Sequence, residues 1–399
     1  MNKNAPVAIT GLGCLSASGN SLKDNMKALF SGKRNTDIPK RFSSSHPNTY
    51  PVFELKESIT FLINEEQKHL SRTSQLGLAA ATEAIEDAEL DHEIMSGLKG
   101  GVCIGTTVGS TMNDEQYYRD YRDNLDPEMF AIQKFLNSNP ASVIARKYSL
   151  AGPCQTIVNA CSSGTDAIGI GASWIRAGIC DIVIAGGADE LSRISYNGFI
   201  SLMITDEYSC KPFDRNRKGL NLGEGSAALI LESKHSLIKR KKIPRAFVLG
   251  YGSACDGYHL TAPHPEGKGL RNALTAAFTD SGKQKQDIGF INAHGTATPD
   301  NDRAEAKVLK EFLPDIPFLS TKGYTGHTLG AAGAIEAAFS VACLESGMIP
   351  ANVGFIETDP ELGVSPVKEN TDISGKTAIS ESLAFGGHNS VLILSTEGI

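Results

Sequence analysis

Three residues in the sequence combine a reactive side chain with flanks of small residues: Cys161, His294 and His327. Cys161 follows the apolar pair Ile157-Val158 and precedes Ser162-Ser163-Gly164, which predicts a turn from a strand into a helix. At a helix N-terminus the macrodipole and the free backbone N–H groups favour a thiolate, and the same groups can hold an oxyanion. The pattern therefore indicates nucleophilic chemistry at sulfur, although a lone cysteine near a helix start is also compatible with a structural role.

The two histidines lie in segments rich in glycine and alanine. His294 directly follows the predicted strand 288–292, at the end where parallel strands commonly present a site. His327 follows Gly326 and precedes an alanine-rich helix, and Lys322 lies five residues before it. Glycine lets backbones approach each other closely, so a lysine and a histidine there are candidates for a site. Taken alone, His294 is equally compatible with a loop histidine bonded to backbone.

Other classes of site find little support. The Gly11-Leu12-Gly13 turn after the first strand lacks the third glycine and the later acidic residue of a dinucleotide-binding loop. His259 and His264 have no partner cluster, and the eight cysteines form no CxxC pair, so we expect no metal site. Most cysteines lie in apolar contexts, which indicates buried, reduced thiols in a cytoplasmic protein.

The composition of the chain argues against several classes of protein. The 38 basic and 45 acidic residues give a net charge of −7, which argues against non-specific nucleic-acid binding. The most apolar stretch, residues 330–343, is shorter than a membrane span and contains Glu336. The N-terminus has no apolar segment of the signal-peptide kind. Glycine is abundant, at 40 of 399 residues, which predicts many tight turns or close backbone contacts.

Short apolar runs alternate with helical stretches along the chain, which predicts an α/β fold with largely parallel, buried strands. The predicted strands are residues 7–10, 101–104, 181–185, 227–231, 247–250, 288–292, 377–380 and 391–395. The predicted helices include residues 75–88, 162–177, 267–281, 302–312 and 331–346. A glycine-rich turn opens a small-residue helix after Cys161 and again after His327. We therefore expect two related halves, residues 1–243 with the cysteine and residues 244–399 with the two histidines.

In order, spacing and flanks, these segments resemble the β-ketoacyl-acyl-carrier-protein synthases, the thiolase-fold condensing enzymes of fatty-acid and type II polyketide synthesis. The resemblance covers nearly the whole chain and rests on residues 7–13, 160–164, 186–190, 211–219, 222–225, 294–299, 322–333 and 385–389. It implies a five-layer αβαβα fold of two pseudo-repeated halves. It also implies a dimer, of identical chains or with a ketosynthase-like partner, and substrates carried on the phosphopantetheine of an acyl carrier protein, without a further cofactor.

The resemblance also implies a decarboxylative Claisen condensation in two stages. Cys161 is the expected nucleophile, which takes the acyl chain as a thioester. The backbone N–H groups of Cys161 and Phe385 are the expected oxyanion hole, and each such donor is worth about 3–4 kcal/mol. His294 and His327 are expected to stabilise the enolate that forms when malonyl-carrier loses CO2. Lys322 is expected to support the histidines and to pair with Glu305.

Binding roles are implied for further residues. Those expected to contact the arm, the gate or the acyl chain are Thr296, Thr298, Phe385, Val108 and Phe199. An acidic carrier protein needs a local basic patch, and its candidates are Lys68, Arg72, Lys211, Arg215 and Arg217. Each of these is equally compatible with ordinary surface charge.

Two departures from the family pattern leave acyl length and pathway open. The loop at residues 200–209 is short, and His388 stands where threonine is usual. A non-catalytic, chain-length-factor-like subunit is the alternative function, but such relatives normally lack the cysteine present here as Cys161. A degradative thiolase is disfavoured because residues 384–388 contain no second cysteine.

Overall fold

The computed structural model describes residues 5–56, 67, 69–111 and 114–398. The strands are β1 (Val7–Ser16), β2 (Gly100–Gly105), β3 (Cys154–Ile157), β4 (Ile182–Asp189), β5 (Gly225–Glu232), β6 (Ala246–Cys255), β7 (Ile288–Asn292), β8 (Phe318–Leu319), β9 (Met348–Ile349), β10 (Thr371–Asp372), β11 (Thr377–Leu383) and β12 (His388–Ser395). Every predicted strand is present.

The helices include all those predicted from the sequence. They are α1 (Leu22–Phe30), α2 (Arg72–Asp87), α3 (His92–Ser96), α4 (Glu115–Arg122), α5 (Phe130–Asn137), α6 (Pro140–Lys147), α7 (Ser163–Arg176), α8 (Arg193–Ser201), α9 (Lys234–Arg240), α10 (Lys268–Ser281), α11 (Pro299–Phe312), α12 (Lys322–Thr325) and α13 (Ala332–Ser346).

Ten of the strands form one sheet in the order β3-β2-β4-β5-β1-β6-β12-β11-β7-β8. We number the sheet strands of each half from 1 in chain order and read each half from the outer edge of the sheet towards its middle. Both halves then have the order 3-2-4-5-1. The two halves meet where Val7–Ile9 of β1 pairs with Ala246–Val248 of β6. This repeated topology agrees with the expected duplication, while the boundary between residues 243 and 244 stays a prediction.

The expectation of largely parallel strands is wrong for the middle of the sheet. The outer pairs, β3-β2, β2-β4, β11-β7 and β7-β8, are parallel, but the five pairs between β4 and β11 are antiparallel. The prediction rests on unbroken apolar runs, which are typical of parallel strands. A strand that is buried on both faces has such a run whether its neighbours are parallel or antiparallel. The loop from β11 to β12, residues 384–387, is short enough to require a hairpin.

Alternating side chains of the strands face different apolar cores. In β4, Ile182 and Ile184 pack into a core with α2 and α6, whereas Val183 and Ala185 pack into a central core with α7 and α13. In the second half, Ile379 faces a third core with α10 and α11, whereas Ala378 joins the central core. Three helical layers thus alternate with the two halves of the sheet, which is the predicted five-layer αβαβα arrangement.

Helix α13 is a long helix composed mainly of apolar residues. The helical stretch Leu329–Ser346 is long and apolar enough to cross a membrane, but 89% of it is buried inside the protein. It also carries Glu336, which is buried and paired with Lys322. Its apolar character is therefore that of a central core helix, which must be hydrophobic on all sides.

Helices α7 and α13 cross almost in contact near their N-termini. A Cβ added to Gly164 would lie 2.9 Å from the backbone of both Gly330 and Ala334, and one added to Gly333 would lie 1.9 Å from Thr165 Oγ1. Asp189 at the end of β4 joins the same region, because it accepts the backbone N–H groups of Val108 and Gly330. Glycine at the crossing therefore lets an N-terminal-half helix meet a C-terminal-half helix.

We expect Gly164→Ala to lower the free energy of unfolding by about 1–3 kcal/mol, because its methyl group would press on backbone atoms of the partner helix. Gly198→Ala is the matched control, since a Cβ at this α8 position meets nothing within 4 Å. The control should be neutral or stabilising by up to about 1 kcal/mol. Urea denaturation measures both, and equal stabilities for the two variants would contradict the tight crossing.

Candidate active site

Cys161 lies in the short 3₁₀ turn that leads into α7. The preceding residue, Ala160, has a φ of +46°, a left-handed conformation that costs energy for a residue with a side chain. Ser163 Oγ and Thr107 Oγ1 both donate to the Ala160 carbonyl and hold this turn. The strained turn directs Cys161 Sγ to within 3.0 Å of His327 Nε2, and the two side chains are buried.

The expected thiolate is not what the structure supports. Burial raises the pKa of the Cys161 thiol to about 12, against the opposing effects of the Lys322 charge and of a hydrogen bond from the Phe385 backbone N–H. The helix start was read correctly from the sequence, but the cost of burying a charge was invisible there. Burial therefore favours the neutral thiol over the thiolate, and its sulfur lies beside His327 Nε2.

His294 is held at the end of β7 by its own backbone. Glu305 on α11 accepts the N–H groups of His294 at 2.6 Å and Gly295 at 2.8 Å. Gly295 has a φ of +41°, and a Cβ there would lie 2.5 Å from Ser320, so this position requires glycine. The expected pairing of Glu305 with Lys322 is wrong, because Glu305 bonds to the histidine loop instead.

Lys322 pairs with Glu336 on α13, with both side chains buried. Its ammonium also donates to the His294 carbonyl at 2.6 Å and lies 3.1 Å from His294 Nδ1. The choice of carboxylate could not be read from sequence, since Glu305 and Glu336 are both acidic residues on helices that follow the histidines. Lys322 therefore links α12, α13 and the loop after β7.

These contacts fix the protonation site of one histidine and leave the other free. An ammonium group can only donate, so His294 Nδ1 is the acceptor and the ring carries its proton on Nε2. No described residue bonds to His327 Nδ1, so no protein group in that part of the chain selects a tautomer for this ring. The two rings lie 5.3 Å apart, centre to centre, and nearly perpendicular.

Burial keeps both histidines neutral. It lowers the pKa of His294 and of His327 well below 6.5, and the Lys322 charge acts in the same direction. Burial also raises the pKa of Glu305 and of Glu336 to about 7. Buried groups whose pKa is shifted so that the neutral form is favoured are common at active sites.

A cavity of about 270 Å³ opens onto these groups. Its lining contains predicted residues from both halves: Cys161, Phe199, His294, Thr296, Thr298, His327 and Phe385. The Thr296 and Thr298 hydroxyls lie 2.8 Å apart, and the rings of Phe199 and Phe385 stack at 5.7 Å. The cavity thus brings together a thiol, two imidazoles, a pair of hydroxyls and an aromatic pair.

Val108 is not among the residues that line this cavity. It packs behind it, in an apolar cluster with Phe199, Leu220 and Tyr196. The Val108 backbone is held by Asp189 at 2.8 Å. The predicted role of Val108 in binding an acyl chain is therefore compatible with its apolar surroundings but stays a prediction.

The predicted basic patch is only partly present. Lys68 lies outside the described residues. The prediction of a surface patch is wrong for Arg72 and Arg217, because both side chains bond to acidic residues of the protein itself. Arg72 bonds to buried Glu224, and Arg217, itself buried, bonds to Asp359 at 2.5 Å. Sequence alone could not separate them from surface arginines. Arg215 is exposed and pairs with Glu357, and Lys211 is half-buried.

Lys218 is a cavity residue that the sequence reasoning missed. It is exposed and lines the cavity, whereas its neighbour Arg217 is buried. The available signal was its place in the basic segment 211–219. A run of charged residues gives no indication of which side chain faces a pocket.

Two family models match the chain in succession. "Beta-ketoacyl synthase, N-terminal domain" matches residues 4–236, and "Beta-ketoacyl synthase, C-terminal domain" matches residues 245–356. A relative named 3-oxoacyl-[acyl-carrier-protein] synthase 2, from Staphylococcus aureus, is 33% identical over 98% of this chain and 99% of its own.

Solved structures agree with these matches. One described as the ishigamide ketosynthase/chain length factor has a TM-score of 0.93 and 29% identity, and covers 99% of this chain and 100% of its own. Another, a type II polyketide synthase acyl-carrier protein in complex with its ketosynthase, has a TM-score of 0.88 and 26% identity, over 98% of this chain and 99% of its own. With both family models matched in order and the resemblance extending over nearly its full length, the chain belongs to the β-ketoacyl synthase family.

Proposed function

We propose that the protein joins an acyl group, carried as a thioester on Cys161, to malonyl-acyl-carrier protein with loss of CO2, and that the product is a β-ketoacyl-carrier protein. The protein is a condensing acyltransferase. One observation carries the residue assignment: Cys161 Sγ lies 3.0 Å from His327 Nε2, while Lys322 holds the second imidazole with its proton on Nε2. This arrangement supplies a nucleophile, a base and a fixed donor in one cavity.

In the first stage the Cys161 thiol attacks the acyl thioester. Its proton passes to His327 Nε2 as the sulfur–carbon bond forms, which avoids a free buried thiolate. The carbonyl oxygen becomes an oxyanion, for which the backbone N–H groups of Cys161 and Phe385 are the proposed donors. Collapse of this intermediate breaks the bond to the carrier thiol, which takes the proton from His327.

In the second stage the malonyl thioester loses CO2 and leaves its electron pair as an enolate. The charge develops on the thioester oxygen, where His294 Nε2–H is the fixed donor and His327 the second. The enolate carbon then attacks the acyl group on Cys161, and the carbon–sulfur bond breaks. The leaving sulfur takes a proton supplied from water through His327, which restores the thiol. The unfixed tautomer of His327 suits it to both stages, because it accepts a proton in the first and donates a hydrogen bond in the second.

For partners we propose an acyl carrier protein and a second ketosynthase-like chain, identical or different. Exposed apolar side chains on and near α4 and α5 support an interface there: Tyr118, Tyr121, Leu125, Met129 and Phe130. We propose a soluble, cytoplasmic location. All eight cysteines are free, and six of them are buried as expected, with Cys154 and Cys255 exposed.

A non-catalytic subunit that shapes the pocket of a partner is the second candidate. The assembled thiol, imidazoles and lysine speak against it, since such a subunit has no use for a complete reacting set. Condensation by the isolated chain, without a ketosynthase partner, separates the two. Turnover by a mixture with a second ketosynthase that is unchanged by Cys161→Ala would favour the non-catalytic function.

Cys161→Ala should lose the acyl adduct and the condensation while retaining decarboxylation of malonyl-carrier, because His294 and His327 remain in place. Mass spectrometry of the acylated protein and measurement of CO2 release test the two stages separately. Cys154→Ala, which removes an exposed thiol, is the matched control and should behave as wild type. An adduct or full condensation in Cys161→Ala would refute the assignment, as would the absence of any adduct in wild type.

Replacing the buried ion pair by neutral groups, in Lys322→Met/Glu336→Gln, should raise the pKa of both histidines because a nearby positive charge is removed. In wild type the pKa of His327 is below 6.5, so acyl transfer to Cys161 should decline only at lower pH. In the double variant this decline should move to higher pH. Decarboxylation should slow by about 10- to 100-fold, since His294 loses the donor that fixes its tautomer.

Stopped-flow or quenched-flow rates between pH 5 and 9 provide the measurement, with Lys23→Met on α1 as a surface-charge control. An unchanged acid limb in the double variant would exclude the proposed influence of Lys322. Thermal unfolding of each variant shows that the comparison is made between folded proteins.

A further inference from the structure

The cavity runs from a buried floor to an exposed opening. Cys161, His294 and His327 are at most 5% exposed, whereas Lys218 and Thr261 on the same lining are exposed. A substrate that enters through this opening passes these outer residues on its way to the thiol. The chemistry of the outer residues indicates what part of the substrate stays there.

Among the described residues, Lys218 is the one lysine or arginine on the lining of this cavity. Asp300, the acidic residue on the lining, pairs with Arg303 at 3.0 Å. No carboxylate lies within 4 Å of the Lys218 ammonium among the residues that the structure describes, although Asp206 is near enough to sense its charge. A cation without a close partner therefore faces the opening of an otherwise weakly charged cavity.

The backbone around Lys218 is held on both sides. The buried Arg217 side chain bonds to Asp359 at 2.5 Å, and the Leu220 N–H donates to the Ile204 carbonyl at 2.8 Å. A Cβ at Gly219 would lie 2.4 Å from the Ile204 carbonyl oxygen. The chain thus presents the Lys218 side chain from a fixed position, so that only its own rotamers are lost on binding.

We propose that Lys218 binds the phosphodiester of the phosphopantetheine arm, an inference that rests on the proposed function. The phosphodiester is the charged group of that arm and lies at the end far from the thioester. With the thioester at Cys161, the arm's amides pass the Thr296 and Thr298 hydroxyls and the phosphate reaches the exposed opening. A lysine ammonium is a suitable point charge for a phosphate.

The experiment compares Lys218→Met, Lys218→Arg and wild type on three malonyl donors: malonyl-carrier protein, free malonyl-phosphopantetheine and malonyl-pantetheine, which lacks the phosphate. Lys218→Met should raise KM about three- to tenfold for both phosphate-containing donors and leave it unchanged for malonyl-pantetheine. The kcat should be unchanged throughout, and Lys218→Arg should retain most of the affinity. Lys23→Met, on α1, is the matched surface control.

Two results would overturn the proposal: equal effects on donors with and without phosphate, or an effect confined to the carrier-bound donor, which would mean contact with the carrier protein itself. Binding of phosphopantetheine and of pantetheine, measured by calorimetry, gives a readout that does not need turnover. Wild type could bind phosphopantetheine in preference to pantetheine, and lose that preference in Lys218→Met, yet fail to catalyse condensation. This result would refute the proposed function and leave the inference about Lys218 standing. No preference for phosphopantetheine in wild type would refute the inference alone.

Discussion

The close crossing of α7 and α13 is the constraint on which the rest of the site depends. Cys161 precedes one helix and His327 precedes the other, and the residues come from different halves of the chain. Only glycine at positions such as Gly164 and Gly333 lets the two helix starts approach within van der Waals distance. A thiol and an imidazole 166 residues apart in sequence are thereby brought to 3.0 Å. This contact between the two halves of the duplicated fold brings the reacting groups into one site.

Behind the imidazoles, one buried cation is surrounded by acidic side chains. Lys322 pairs with Glu336, and burial raises the pKa of Glu305, Glu336 and Glu381, while the nearby Glu305 charge raises the pKa of Glu381 further. A carboxyl whose pKa is raised on folding binds its proton more tightly in the folded state. Its contribution to the free energy of unfolding therefore falls as pH rises from about 4.5 through its folded pKa. These buried carboxyl groups therefore lower the free energy of unfolding at neutral pH, while they offset the positive charge of Lys322 within the site.

Much of this could be predicted from the sequence, and the failures share a physical cause. Strands, helices and the positions of Cys161 and His294 follow from local patterns of apolar and small residues. The partner of Lys322, the neutral state of the Cys161 thiol and the burial of Arg217 depend on which distant groups exclude water from them. Strand direction in the middle of the sheet failed for the same reason, since burial on both faces hides it. Local sequence carries periodicity, whereas charge state and pairing are set by tertiary packing.

Phe385 combines two tasks in one residue. Its ring stacks on Phe199 above the cavity, while its backbone N–H points at Cys161 Sγ. It is followed by Gly386 and Gly387, both with positive φ, so the backbone here can turn where other residues could not. A side-chain rotation would clear the passage and keep the donor, whereas a backbone movement would withdraw both together. In the second case opening the passage would also remove the proposed oxyanion-hole donor, so that one peptide unit would couple the entry of substrate to its reaction.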